Sequence, residues 1–270
     1  MDHTTYPNLR QSLLLIVFFL ASFTIFFFLT GLLPQIFGWG LSKSYINFIF
    51  AVASPICTIP LIIYVSRESG IPVKWKVKLP GIRLVFFLIL LTISGFIVTR
   101  PLINPKDFLN NLMDGKLEIA VFKLYNLNLD LVIRFICIAL IVPIFEEIFW
   151  RKQIFGLLLK KYSPVVSIVL SSFLFACGHG RLNDIGLLFI WGLLFCIVYY
   201  KTNSIEASIL IHSLTNTLPF LTKYEYIENT TQHILYYISI LAVSVAVIYL
   251  IIIYLGRHRL PDPETGSHEH

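Results

Sequence analysis

Charge is scarce in this sequence. Only 13% of its 270 residues are Asp, Glu, Lys or Arg, about half the share of an average soluble domain. Its 15 acidic residues are outnumbered by 23 phenylalanines. A chain so poor in charge cannot cover a water-facing surface, which excludes an ordinary soluble fold. Cysteine is sparse as well. Cys57, Cys137, Cys177 and Cys196 all lie inside apolar runs, and no two have C-x-x-C spacing. That argues against a disulfide framework or a cysteine zinc site and leaves them as inert packing residues. No H-E-x-x-H, internal repeat or low-complexity tract occurs. The period-2 alternation of an outer-membrane barrel is missing too, because the apolar runs are continuous.

Those runs are what the sequence has in abundance: 57% of the residues are hydrophobic. Eight segments can be read, near 12–33, 45–65, 83–99, 131–150, 164–179, 184–200, 204–221 and 234–255. Crossing roughly 30 Å of hydrocarbon as helix takes about 18 to 20 apolar residues. A lone span must also satisfy its own backbone hydrogen bonds, so helix is the expected form. The expected fold is all-α, a polytopic transmembrane bundle of about eight spans forming one domain over 1–256. A motif-bearing core lies at 130–221, and 257–270 reads as a disordered cytoplasmic tail. The first run is too long and Phe-rich for a cleaved signal peptide, and no A-x-A-like site follows it. The C-terminal Ser-His-Glu-His offers no cysteine for prenylation.

The net charge of +6 would suggest nucleic acid in a soluble protein. Here it reports which loops face the cytoplasm, and no nucleic-acid partner is expected. With eight spans, one side collects 13 Lys and Arg, among them Arg83, Lys201 and Arg257, and the other 7. The bias places both termini in the cytoplasm of a multi-pass protein, with the cell membrane as its expected location. The run ending at Trp150 can continue as helix to the Tyr162-Ser163-Pro164 turn. At about 1.5 Å per residue such a helix would be roughly 48 Å long and would tilt or project beyond the bilayer.

Ionisable side chains inside spans cost about 2.5–3.5 kcal/mol each, so they mark function by default. Three clusters stand out. In Pro143-Ile-Phe-Glu-Glu-Ile-Phe-Trp-Arg151, Glu147 and Arg151 are i,i+4 and can pair along one face. Glu146 projects about 100° away and stays chemically available. Pro143 lacks a backbone donor, so a kink just ahead of the carboxylates is expected. The bland alternative is a helix leaving the membrane there, with solvated end residues.

The second cluster ends Phe175-Ala-Cys-Gly-His179. A lone His at a span end is ordinarily an interface residue. However, Glu146 lies 16 residues before Tyr162 and His179 lies 16 after Ser163. Antiparallel helices from that turn bring the two to one level, as activation of a water by a base requires. In the third cluster His212 and Asn216 are i,i+4 on one face. Both can donate hydrogen bonds to a developing oxyanion. Interhelical hydrogen bonding is the bland reading of the pair. Glu206 reads as a helix N-terminal charge, and Arg134 as a snorkelling or Asp130-paired cation.

Together and in this order, these clusters resemble the CPBP family of intramembrane proteases, the CAAX-protease and bacteriocin-processing family. The resemblance rests on Glu146-Glu147-x-x-x-Arg151, Phe175-x-x-x-His179 and His212-x-x-x-Asn216. It implies an intramembrane endopeptidase acting on a membrane-presented peptide or protein, prenylated in some members, bacteriocin leaders or peptide pheromones being others. It implies that Glu146 and His179 activate the attacking water. His212 and Asn216 would then serve the oxyanion, supported by Glu147 and Arg151. The family is labelled metalloprotease, while a metal-free glutamate mechanism has also been argued for it; no cofactor is certain. A zinc ion, if present, would fall to Glu146, His179 and His212. Two other classes compete: a non-catalytic scaffold or immunity protein keeping the fold, and a proton-relaying transporter, against which no symmetry between halves is seen.

Overall fold

A computed structural model of the chain describes residues 43–69, 80–103, 105–122, 128–179, 182–228 and 231–257, with scattered positions between 11 and 38. Most of the first expected span and the residues from 258 onward, with the expected tail, lie outside the described residues. In order the elements are α1 (Lys43–Ser69), α2 (Ile82–Thr99), α3 (Pro105–Met113), β1 (Lys116–Phe122), α4 (Leu129–Phe135), α5 (Val142–Glu147), α6 (Gly156–Lys161), α7 (Pro164–Gly178), α8 (Ile185–Thr202), α9 (Ile205–Leu221), β2 (Thr222–Glu228) and α10 (Thr231–Arg257). The protein is an all-α membrane protein carrying one small ribbon. Three helices are long and apolar enough to span a bilayer among the described residues: Ile82–Leu102, Ile185–Thr202 and Gln232–Arg257.

The contacts divide the chain into two compact units, 1–78 with 126–196, and 79–125 with 197–270. In the first, α4, α5 and α6 are stretches of one continuous helix. They are joined by wider, π-wound segments at Ile136–Ile141 and Ile148–Phe155. The Val142 N–H reaches back to the Cys137 carbonyl, and the Gly156 N–H to that of Arg151. Each bond spans five residues instead of four, the mark of π winding. One π-wound stretch ends just ahead of Pro143, the place where the sequence predicts a kink. The expected continuation toward residue 162 is also present, ending at Lys161.

The turn into α7 is built by Ser163, whose hydroxyl accepts from the Val166 N–H at 3.4 Å, with Pro164 at the first helical position. Both choices suit a helix start. At 15 residues α7 is about 22 Å long, short of a full crossing. Its buried residues are mostly small, Ser167, Ser171, Ser172, Ala176 and Gly178, with the larger Leu174 and Phe175 among them. Small residues let helices approach closely where no hydrophobic force drives them together. The approach is close at two points. A Cβ on Gly178 would sit 2.6 Å from the indole of Trp150, and one on Gly192 of α8 would sit 3.1 Å from the Ser172 backbone.

In the second unit, α2 packs against α9 and α10. Asn203 (φ 50°) makes the turn into α9, a conformation asparagine tolerates better than most residues. Ser204 then caps α9, accepting from the Ala207 N–H at 3.1 Å and donating to Glu206 at 2.9 Å. The Glu206 reading as a helix-start charge agrees with this. Strands β1 and β2 pair antiparallel from Lys116 opposite Glu228 to Phe122 opposite Thr222. An ion pair of Arg100 with Glu118 ties the ribbon to the end of α2.

Candidate functional site

Glu146 and Glu147 end α5 in very different surroundings. Glu147 is wholly buried, with its carboxylate 3.1 Å from Nε of the equally buried Arg151. The contact lacks hydrogen-bond alignment, and no guanidinium nitrogen finds a hydrogen-bond partner among the described residues. The cation instead lies against ring faces, 4.6 Å from the Phe175 centroid and 5.6 Å from that of Phe195. Ring quadrupoles attract a desolvated cation. The opposite charge and two aromatic faces therefore hold Arg151 inside the first unit.

Glu146, one residue earlier, escapes this arrangement. Its side chain keeps 15% exposure, and Oε2 lies 3.9 Å from His179 Nε2. The equal spacing about the Tyr162–Ser163 turn predicts this meeting, and the structure brings the two residues together. His179 caps the C-terminus of α7, one turn beyond Phe175. Its Nδ1 lies 2.9 Å from the Phe175 carbonyl. A carbonyl can only accept, so Nδ1 carries a proton, and in the neutral form of His179 the Nε2 lone pair is the atom that faces Glu146. Carboxylate and lone pair are then two acceptors facing each other at a distance too long for a direct hydrogen bond.

Phe175 is the residue whose role the sequence left undefined. Its carbonyl fixes the His179 tautomer, its ring packs 4.6 Å from the imidazole, and the same ring supports Arg151. The i to i+4 spacing to His179 was the available signal, since a helix end exposes the carbonyls of its last turn. Trp150 and Gly178 were missed as well. The indole packs edge-on to Phe149 and Phe175 at 5.0 and 5.9 Å, and Gly178 leaves room for it next to His179.

In the second unit, α9 carries a buried His212 and a half-buried Asn216 one turn later. Three protein ligands are the norm for a catalytic zinc. Among the described residues no three His, Cys, Asp or Glu side chains form such a set. Within the first unit Glu146 and His179 supply two donors, and the third expected ligand, His212, belongs to the second unit.

Comparison with known proteins agrees with the order of motifs. The family described as type II CAAX prenyl endopeptidase Rce1-like matches residues 128–218. The Bacillus subtilis (strain 168) protein named "Putative membrane peptidase YdiL" is 32% identical over 91 residues, which cover 34% of this chain and 37% of that protein. The matched stretch runs from the Asn128 cap of α4 through Asn216, so all three motifs fall within it. Over this segment, about a third of its length, the chain is similar to the CAAX-protease-like membrane peptidases.

Proposed function

We propose that the protein is an intramembrane endopeptidase in which Glu146 is the general base. The reading is carried by one observation: Glu146 Oε2 and His179 Nε2 are 3.9 Å apart, with the His179 proton committed to the other nitrogen. A point about 2.8 Å from both acceptors exists, and a water oxygen there can donate one hydrogen to each. Such a water is polarised toward hydroxide. In the reaction its oxygen attacks the scissile carbonyl carbon while Glu146 takes a proton. The tetrahedral oxyanion then collapses, the C–N bond breaks, and Glu146 returns the proton to the leaving amine. General base catalysis of this kind contributes about 10²–10⁴-fold.

Glu147 and Arg151 hold a neutral pair beside the base, which keeps a second negative charge from opposing ionisation of Glu146. His212 and Asn216 are assigned to the oxyanion, following the family resemblance. A substrate presented at the bilayer, prenylated or not, suits a base carried on helices of a membrane protein.

The test is the full chain reconstituted in vesicles with a library of lipidated and unlipidated membrane peptides, read by mass spectrometry. Wild type should release fragments that Glu146→Gln and His179→Ala each lose, and Asn216→Ala should slow release by about 10²–10³-fold. Cleavage at wild-type levels by folded Glu146→Gln would sink the proposal. So would the absence of any fragment unique to wild type across the library, in favour of a scaffold.

A further inference from the structure

We infer that the second unit carries a binding site for one anionic phospholipid at the end where α2 begins and α10 finishes. A groove there is lined by Ile82, Arg83, Phe86 and Phe87 of α2 and Tyr254 of α10. The Phe87 and Tyr254 rings meet at 4.5 Å and form its floor. Ile82 and Phe86 stand 81% and 56% exposed, so the groove is apolar and open to the side. Both helices are long and apolar enough to span the bilayer, and an opening between two such helices faces lipid chains.

Its mouth is basic. Arg83 sits one residue into α2, and Arg257 is the last residue of α10. Lys201 of α8 reaches the same place: its Nζ lies 3.0 Å from where a Cβ on Gly256 would be. Arg83 and Arg257 are exposed. None of the three cations has an acidic partner among the described residues. Cationic groups at the end of an apolar groove complement a molecule with an anionic head and apolar tails. Basic pockets between spans recognise anionic headgroups in this way. The charge count from the sequence assigns all three cations to the cytoplasmic side, where such lipids give the leaflet its negative potential. The site uses no residue of the proposed peptidase machinery and stands or falls apart from it.

The experiment is native mass spectrometry of the full chain in neutral detergent, titrated with dioleoylphosphatidylglycerol or dioleoylphosphatidylcholine. Wild type should bind one phosphatidylglycerol more tightly than phosphatidylcholine. Arg83→Gln, Lys201→Gln and Arg257→Gln should each weaken it about five-fold, the equivalent of about 1 kcal/mol per charge. The triple variant should abolish the preference, while Arg67→Gln, an exposed cation of the first unit, should leave it intact. Equal binding of the two lipids by wild type would overturn the inference. So would a triple variant with unchanged unfolding temperature that keeps the preference. Inorganic phosphate at millimolar concentration should fail to displace the lipid; displacement would show a headgroup site without the groove and would overturn it too.

Discussion

Gly178→Ala is the smallest change that reaches the proposed site, and the structure fixes what it must do. The new methyl carbon would lie 2.6 and 2.9 Å from two carbons of the Trp150 indole. Carbon atoms pack at about 3.5–4.0 Å, so the two surfaces must part by about 1 Å. The indole has nowhere to go. It is 1% exposed, and Phe149 and Phe175 stand against it. The end of α7 must move instead, and the next residue is His179. Overpacking of this sort costs about 1–3 kcal/mol, and a 1 Å misplacement of reacting groups costs about 10²-fold in rate. The expected result is a modest fall in unfolding temperature with a large fall in kcat. Replacing Trp150 by Phe removes the colliding carbons, so Gly178→Ala with Trp150→Phe should regain much of the lost activity. Peptide release and thermal unfolding, measured on the same detergent preparation, give both numbers. If Gly178→Ala folds and cleaves like wild type, or if the double variant is worse than either single one, the packing account is wrong.

Three further outcomes follow from the same surroundings. Arg151→Met leaves the Glu147 charge buried without its partner and should cost about 3–5 kcal/mol, whereas Glu147→Leu with Arg151→Met should recover most of that, as thermal unfolding would report. Gln153 is wholly buried, and neither of its amide atoms has a hydrogen-bond partner among the described residues. Gln153→Met should therefore match or exceed wild-type stability, and a clear fall would mean that the amide is satisfied after all. Ser204→Ala removes the cap of α9 and should cost about 1 kcal/mol in denaturant unfolding, while Ser204→Asn should keep most of it.

Much of this was legible because helices convert spacing into depth. Equal counts from the Tyr162–Ser163 turn placed Glu146 level with His179, and i to i+4 spacing paired Glu147 with Arg151. The π winding at 136–141 and 148–155 was not legible. It adds no unusual residue, and which carbonyl an N–H selects is decided by packing around the helix. The ribbon was missed for another reason. Lys-Leu-Glu-Ile-Ala-Val-Phe and Thr-Lys-Tyr-Glu-Tyr-Ile-Glu alternate only in part, and two short strands far apart in sequence announce no partner. The Trp150–Gly178 contact is a matter of shape between helices, which no periodicity encodes.

The interior position of Arg151 also bears on how the protein is made. A segment bearing Glu146, Glu147, Arg151 and Lys152 partitions poorly into lipid by itself, at about 2.5–3.5 kcal/mol for each charge near the centre. The Glu147 carboxylate travels with Arg151 from the start, but the rings that cover the guanidinium belong to α7 and α8 and leave the ribosome later. Release of this helix from the insertion machinery should therefore wait for its two successors, and the three should enter the membrane as a cohort. Truncated nascent chains ending before Phe195 would then remain beside the translocon, where longer ones have already moved into lipid.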